Sequence, residues 1–404
     1  MKPNLPPPQA WWISQLLDRH PDDALWACAG RTVTYGELRA QVTASARLAG
    51  SYGIGPGSTV ALRGAAGFTQ LWTLLALWSV GAQVMLMGPS LEGDDLGALL
   101  DRCRPRHLLT LDGPARPDGA FQDECGVLVR RLASGMPART DHCLVQFTSG
   151  STALAKAVGR DADSLRAETD RFAALPGMPG AGERVLLLSP TAHSFGLVGG
   201  VLHAMNTGAV LVFPSTTGRG GPGAVDAVLA APRHFAALAE GPHQDALRGL
   251  RTAVSAGDTL DAAVRLRFAE RYGVRVGQAY GTTETGIVAA DPAGEHGPDA
   301  VGPPAPGVRV RVHSGELQVW LPRSPYLFEQ QPPARFVSPG GGATGGWLCT
   351  RDMVARDPGT GAIRLLGRFD PLRRRALPSE GHTQRQIAMR TLVRRLERSG
   401  RTAR

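Results

Sequence analysis

The stretch LVQFTSGSTALAK, residues 144–156, joins an apolar run to a hydroxyl-rich loop that ends on a lysine. Residues 144–147 predict a buried strand, so we expect the loop at the carboxyl end of that strand. Hydroxyls and backbone N–H groups around Gly150 can surround a phosphate, and Lys156 adds a mobile positive charge. The spacing is not that of a Walker loop, because no Gly-Lys-Ser/Thr triplet opens a helix. A serine-rich surface turn is the alternative interpretation.

Lysine is rare in this chain. It occurs at positions 2 and 156, and the other 42 of the 44 basic residues are arginine. The skew is most simply a coding bias of a GC-rich bacterial genome. Lys156 nevertheless lies where a phosphate-binding amine would be useful, which favours the phosphate interpretation of the loop.

The 404 residues, 43% of them hydrophobic, predict a large core with more than one lobe. No stretch of the sequence predicts a signal peptide or a membrane span. The cysteines form no Cys-x-x-Cys pair, which argues against a disulfide framework or a zinc site and predicts a cytoplasmic protein. They are Cys28, Cys103, Cys125, Cys143 and Cys349.

The positive charge is local. The net charge is +9, of which residues 371–404 carry +8, with ten arginines against Glu380 and Glu397. The body is therefore almost neutral, and we expect no nucleic-acid partner. Apolar residues at helical spacing predict a basic amphipathic helix over residues 383–398.

Strands and helices alternate along most of the chain, which predicts an α/β fold with parallel sheets, and the pattern becomes β-rich from Gly307 onward. Thr34 is a predicted N-cap, with Glu37 at the capping-box position. Residues 114–140 predict a polar surface excursion and 218–223 a flexible link. The predicted helices are 11–20, 35–48, 68–79, 94–103, 162–174, 196–205 and 261–272. The predicted strands are 24–28, 31–33, 59–62, 83–87, 107–111, 144–147, 184–188, 209–213, 253–255, 278–279, 308–312, 316–320 and 363–366.

Two further segments carry side chains suited to a nucleotide. QAYGTTET, residues 278–285, supplies an aromatic ring that can stack on a base, hydroxyls that can bind phosphate, and Glu284, which can hold Mg²⁺. GWLCTRD, residues 346–352, ends on Asp352, which can accept hydrogen bonds from two ribose hydroxyls. GRFD, residues 367–370, adds Arg368.

Together these motifs resemble the adenylate-forming superfamily of acyl-CoA synthetases, nonribosomal-peptide adenylation domains and luciferases. The resemblance runs in order over about residues 10–370. It implies an N-terminal domain over residues 1–370, built of two layered α/β sheets and a smaller β-rich part at about 301–370. Residues 371–404 would be a short basic remnant of a truncated C-terminal domain. The matching segments are TYGEL (34–38), TSGSTALAK (148–156), YGTTE (280–284), VGPPAPG (301–307), GEL (315–317), TRD (350–352) and GRFD (367–370).

The resemblance also implies site residues, with ATP and Mg²⁺ as cofactors. Tyr280 would stack on adenine, Asp352 would bind ribose, and Glu284 would be the metal ligand. His193, in HSFG at 193–196, would lie beside the acyl pocket, although a packed core histidine is the alternative. The implied catalytic residues are Lys156, His193, Thr283 and Glu284. The implied nucleotide-binding residues are Thr148, Ser149, Gly150, Ser151, Thr152, Ala256, Gly257, Ala279, Tyr280, Gly281, Asp352 and Arg368.

Some positions depart from the family pattern. Ala153, Ala155 and Ala157 replace Gly, Pro and Gly in the loop, and Arg351 replaces the Gly of Thr-Gly-Asp. The family carries a catalytic lysine in its mobile C-terminal domain. Only 34 residues follow Asp370 and none is lysine, so we expect that lysine to be absent.

The function implied is ATP-dependent adenylation of an aryl or medium-chain carboxylic acid, with release of pyrophosphate. We expect transfer to an acyl carrier protein or CoA, and the basic tail would attract an acidic carrier protein. A partner protein could supply the missing C-terminal function. The alternative is a catalytically impaired protein that binds nucleotide or acyl groups for a partner enzyme.

Overall fold

The computed structural model describes residues 11–113, 121–148, 156–214, 224–241, 247–328, 335–339 and 344–368. Within these residues the strands form three sheets, two of them mainly parallel and covered by helices. The α/β class predicted from the alternation of strands and helices is therefore confirmed.

One sheet has six strands in the order β6-β5-β3-β4-β7-β8. Its central strands are parallel and deeply buried, as expected for strands covered on both faces. The outer pairs β5–β6 and β7–β8 are antiparallel. The strands are β3 (Thr59–Arg63), β4 (Gln83–Met87), β5 (His107–Asp112), β6 (Gly126–Arg131), β7 (Leu144–Thr148) and β8 (Lys156–Arg160).

A second sheet has eight strands in the order β14-β13-β12-β11-β9-β10-β1-β2. Its interior pairs are parallel, and an antiparallel pair closes each end. The strands are β1 (Leu25–Cys28), β2 (Thr32–Thr34), β9 (Arg184–Leu187), β10 (Val210–Val212), β11 (Ala227–Ala230), β12 (Thr252–Ala256), β13 (Val276–Thr282) and β14 (Gly286–Asp291).

The third sheet is smaller and antiparallel, which confirms the β-rich character predicted after Gly307. It packs against β14 through a cluster that includes Val288, Val301 and Leu317. Its strands are β15 (Val310–His313), β16 (Glu316–Leu321), β17 (Phe336–Val337), β18 (Gly346–Arg356) and β19 (Ile363–Arg368).

Helices fill the space between the two larger sheets and cover their outer faces. Thr34 caps α2, accepting a hydrogen bond from the backbone N–H of Glu37 at 3.2 Å. The apolar helix α3 is buried along almost its whole length, which explains its lack of a polar face. No helix among the described residues has the length and apolar character needed to cross a membrane. The helices are α1 (Trp11–Leu17), α2 (Tyr35–Ser51), α3 (Phe68–Ser79), α4 (Gly93–Cys103), α5 (Ala162–Ala174), a π-helix (Phe195–Leu202) continued by α6 (His203–Thr207), α7 (Pro232–Glu240) and α8 (Ala262–Tyr272).

Several predictions about local structure were wrong or incomplete. The supposed surface excursion at 114–140 contains β6, which pairs with β5 although its own side chains are mostly exposed. β5 is the preceding strand, so this is local antiparallel pairing, and the apolar run at residues 127–129 was a signal that the polar residues around it obscured. β8, β11, β14, β18 and α7 were not predicted, and residues 196–202 are π-helical where an α-helix was expected. The predicted link at 218–223 and helix at 383–398 lie outside the described residues.

A buried ion pair joins the two larger sheets. Arg160, the last residue of β8, donates from Nη2 to Glu168 Oε2 on α5 at 2.7 Å, and both side chains are at most 5% exposed. The other carboxylate oxygen accepts the backbone N–H of Ile287 in β14 at 2.9 Å. One carboxylate on α5 thus links the edge strands of both sheets. Gly286 is required beside it, because a Cβ at that position would overlap the carboxylate.

Arg351 has an unusual backbone conformation. Its φ is +66°, a left-handed value that costs most side chains about 1–2 kcal/mol. It lies where the β16–β18 register shifts, between Cys349 and Met353, so it is part of a β-bulge. Its N–H donates to Glu316 Oε1 at 2.8 Å, which holds the bulge in place. Glycine adopts this conformation without the steric cost that other side chains meet.

Replacing Glu168 with Gln should lower the free energy of unfolding by about 3–5 kcal/mol, because Arg160 would keep its charge in a buried place without a counter-ion. Urea unfolding measures the change. The control is Asp163→Asn, which removes a carboxylate from an exposed pair with Arg166 on the same helix and should cost less than about 1 kcal/mol. Similar losses in the two variants would contradict a special role for the buried pair.

Replacing Arg351 with Gly should raise the free energy of unfolding by about 0.5–1 kcal/mol. Relief of the left-handed backbone outweighs the extra entropy that glycine gives the unfolded chain. The control is Arg356→Gly on the same strand, where φ is not positive and glycine should destabilise by roughly the same amount. A loss of stability in both variants would show that the Arg351 side chain itself holds the fold.

Candidate active site

Tyr280 and Asp352 meet although they come from different sheets. The Tyr280 hydroxyl, on β13, donates to Asp352 Oδ2, on β18, at 2.6 Å. Burial and the nearby carboxylate raise the pKa of Tyr280, so the phenol stays a neutral donor. Asp352 is fixed by its own N–H, which donates to Thr350 Oγ1 at 3.1 Å. Arg368 Nε lies 3.9 Å from Asp352 Oδ1, so the predicted adenine and ribose residues come together.

The residues expected to line a base pocket lie next to this pair. Ala256 ends β12 and is the register partner of Ala279 in β13, directly before Tyr280. Gly257 follows Ala256, and Gly281 follows Tyr280. The carboxyl ends of neighbouring parallel strands meet at one edge of a sheet, which is where α/β proteins bind ligands.

The hydroxyl-rich loop begins and ends on paired residues. Thr148 at the end of β7 is the register partner of Lys156 at the start of β8, so the loop is the connection of an antiparallel pair. Ser149, Gly150, Ser151 and Thr152 lie outside the described residues. Burial is the main cause that lowers the pKa of Lys156, and the charge of Arg335 adds to it while Glu284 opposes it. Lys156 therefore shares one electrostatic environment with Arg335 and Glu284.

Glu284 lies in the turn between β13 and β14 with its side chain 7% exposed. Its Oε1 accepts a hydrogen bond from the Tyr326 hydroxyl at 3.2 Å, and Arg335 Nη1 lies 3.8 Å from the same oxygen. The turn is closed by Thr285, whose N–H donates to Thr282 Oγ1 at 3.3 Å. Thr283 is half-buried in the same turn.

The Glu284 carboxylate is a group of the kind that binds Mg²⁺ in proteins. The described residues contain no cluster of three or more His, Cys, Asp or Glu side chains arranged for a metal. Mg²⁺ commonly takes one carboxylate from the protein and completes its shell with phosphate oxygens and water. The buried Glu284 carboxylate matches that kind of site.

His193 lies in the segment that leads into the π-helix. Its side chain is exposed, so the alternative that it is a packed core residue is wrong. It is still surrounded by enough protein that desolvation lowers its pKa, and the charge of Arg233 adds to the effect. Ser194 Oγ donates to Gln146 Oε1 at 3.0 Å, and Gln146 Nε2 donates to the carbonyl of Ala192 at 2.6 Å. The segment is thereby anchored to β7, two residues before Thr148.

Tyr326 and Arg335 are site residues that the sequence reasoning missed. Tyr326 is positioned because its neighbours run beside β8: Gly159 N–H donates to the carbonyl of Pro325 at 2.8 Å, and Leu327 N–H to that of Ala157 at 3.3 Å. The chain contains 42 arginines, so nothing in the sequence distinguishes Arg335 from the others. Only the fold shows that Arg335 lies beside Glu284.

Comparison with known proteins identifies the family and the fold. A family model described as AMP-binding enzyme matches residues 14–323. Novobiocin biosynthesis protein H of Streptomyces niveus is 27% identical over 355 residues, covering 78% of this chain, and this chain spans 57% of that protein's length.

Solved structures show the same fold. ATP-bound MatB from Rhodopseudomonas palustris matches with a TM-score of 0.71 and 18% identity, covering 88% of this chain and 78% of that one. A malonyl-CoA ligase ternary product complex with methylmalonyl-CoA and AMP bound matches with a TM-score of 0.68 and 26% identity, covering 88% of this chain and 80% of that one. The resemblance inferred from the motifs is confirmed, and the chain belongs to the family of AMP-binding enzymes.

Proposed function

We propose that this protein activates a carboxylic acid with ATP. A carboxylate oxygen of the acid attacks the α-phosphorus, and the bond from that phosphorus to the pyrophosphate oxygen breaks. The products are an acyl-adenylate and pyrophosphate. The observation that carries the proposal is the 2.6 Å hydrogen bond between Tyr280 and Asp352. The buried carboxylate of Glu284 and the partly buried Lys156 belong to the same candidate site. Such a reaction depends mainly on positioning and on charge stabilisation.

The Tyr280–Asp352 pair would bind the adenine and ribose of ATP. The Tyr280 ring would stack on adenine, in a pocket lined by Ala256, Gly257 and Ala279. Tyr280 engages Oδ2 of Asp352, which leaves Oδ1 to accept hydrogen bonds from ribose hydroxyls, with Arg368 nearby. Asp352 would therefore both fix the tyrosine and bind the sugar.

The phosphate end lies between the hydroxyl-rich loop and the β13–β14 turn. Thr148 and Lys156, with Ser149, Gly150, Ser151 and Thr152, would hold the phosphates. Thr283 would bond to the α-phosphate. Glu284 would be a ligand of Mg²⁺, which when bound neutralises phosphate charge.

The acid and its acceptor are further proposals. His193, exposed at the start of the π-helix, would face an aryl or medium-chain acyl group. An acyl carrier protein or CoA would receive the acyl group, and the similarity to a novobiocin biosynthesis protein supports a role in secondary metabolism. We also propose residues 1–370 as the adenylating domain and the basic residues 371–404 as a segment that attracts an acidic carrier protein. A partner protein could complete the reaction.

A second candidate is a protein that binds nucleotide or acyl groups for a partner enzyme, with little catalysis of its own. Two features of the sequence favour this candidate. Residues 157–404 contain no lysine, whereas the family carries a catalytic lysine in its C-terminal domain. Three alanines also replace Gly, Pro and Gly in and beside the hydroxyl-rich loop. Binding of ATP without turnover would favour this candidate.

Acid-dependent exchange of pyrophosphate into ATP tests the proposal, with a panel of aryl and medium-chain acids. We expect exchange in the wild type and a loss of about 10- to 100-fold in ATP affinity for Asp352→Asn, because a charge-assisted hydrogen bond is removed. Lys156→Ala should lower the exchange rate. The control Asp163→Asn removes an exposed carboxylate elsewhere and should leave both quantities unchanged.

The outcomes separate the candidates. ATP binding that depends on Asp352 but gives no exchange with any acid would support the binding protein. Equal ATP affinity in the wild type and Asp352→Asn would contradict the nucleotide site itself.

A further inference from the structure

Arg335 is held against Glu284 by the sheet that carries Asp352. It directly precedes β17, and its carbonyl accepts the N–H of Cys349 in β18 at 2.6 Å. Its side chain is only 11% exposed, and Nη1 lies 3.8 Å from Glu284 Oε1. Its Nε is buried and has no hydrogen-bond partner among the described residues. The guanidinium is therefore buried beside a carboxylate with one of its own donors unused.

The groups that face this pair are mostly cationic. Lys156, Arg351 and Arg368 are close enough for their charges to act on one another. Burial is the main cause that lowers the pKa of Lys156 and of Arg351, and the charge of Arg335 adds to it in both. Among the described residues, Glu284 acts on Lys156, Glu316 acts on Arg351, and Asp352 lies 3.9 Å from Arg368. Asp352 is engaged by Tyr280, and Glu316 accepts the backbone N–H of Arg351. Glu284 is therefore the carboxylate that an incoming anion would meet at the phosphate end.

An ionised Glu284 repels phosphate oxygens unless a cation lies beside it. Tyr326 cannot neutralise it, because the phenol is a neutral donor whose pKa is raised by burial and by Glu284. A divalent cation can neutralise the carboxylate. Arg335 can do so as well, because its planar guanidinium is suited to carboxylates and phosphates. The contact at 3.8 Å shows that the arginine is already in place.

We propose that Arg335 is the resident counter-cation of Glu284 and lets this site bind a polyphosphate chain without a divalent metal ion. The inference rests on the proposed function, because it assigns the phosphates to this end of the site. Arg335 acts through Glu284 and is a positioning residue in this role. The consequence is specific: Mg²⁺ and Arg335 are alternative ways to neutralise one carboxylate, so either can substitute for the other.

Calorimetric titration of the full chain with sodium tripolyphosphate tests this, in EDTA and in excess Mg²⁺. We expect the wild type to bind in both conditions. Arg335→Gln should bind about tenfold more weakly in EDTA, the effect of losing one charge-assisted interaction, and less than about threefold more weakly with Mg²⁺. The control is Arg364→Gln, which removes an exposed arginine from β19 of the same sheet and should change neither affinity.

The double variant Glu284→Gln/Arg335→Gln shows whether weaker binding by Arg335→Gln is caused by misfolding. With the carboxylate neutral, the arginine is no longer needed, so affinity in EDTA should return to within about threefold of the wild type. An equal loss for Arg335→Gln in EDTA and in Mg²⁺ would overturn the inference, as would no loss in EDTA or a wild type that needs Mg²⁺ to bind.

Adenosine binding separates this inference from the proposed function. Adenosine would occupy the Tyr280–Asp352 end alone, and Arg335→Gln should bind it as the wild type does. If adenosine binds normally but the tripolyphosphate affinities do not depend on Arg335 and Mg²⁺ as expected, only the role of Arg335 is overturned. A wild type that binds no adenosine would contradict the proposed function.

Discussion

The carboxylate of Glu168 is the constraint on which the candidate site depends. It binds Arg160 at the end of β8 and the N–H of Ile287 at the start of β14, and so fixes the edge strands of both large sheets to α5. Lys156 lies four residues before Arg160, and Glu284 three residues before Ile287. A buried ion pair is costly to separate, because each charge would then lack both water and a partner. Strand β8, which carries Lys156, and strand β14, which follows the β13–β14 turn, are thereby tied to one another through α5.

The candidate site contains two carboxylates in different surroundings. Asp352 accepts a short hydrogen bond from a neutral phenol and keeps one oxygen open toward Arg368. Glu284 is more deeply buried and faces Arg335. In a partly desolvated cleft such charges interact more strongly than they would in water. The first arrangement suits a sugar with several hydroxyls, and the second suits a group that arrives with its own negative charge.

The β-rich part contributes more to the site than its size suggests. The bulge at Arg351 turns β18 so that Asp352 reaches Tyr280 of another sheet, and it does so with a left-handed residue that is not glycine. Backbone strain of this kind persists where surrounding contacts hold it, and it concentrates at functional sites. The hydrogen bond from the Arg351 N–H to Glu316 is one such contact.

The sequence by itself determined the α/β class, most helices and central strands, and the motifs around Lys156, Tyr280 and Asp352, because local periodicity and spacing encode them. It did not reveal β6 or β8, although each pairs antiparallel with the strand directly before it, because β6 is mostly exposed in a polar stretch and β8 is only 5 residues long. It also could not single out Arg335 among 42 arginines, nor predict that a carboxylate on α5 joins two sheets. Such contacts are decided only by the tertiary structure, since they bring together residues more than a hundred positions apart or distinguish chemically identical side chains by their surroundings.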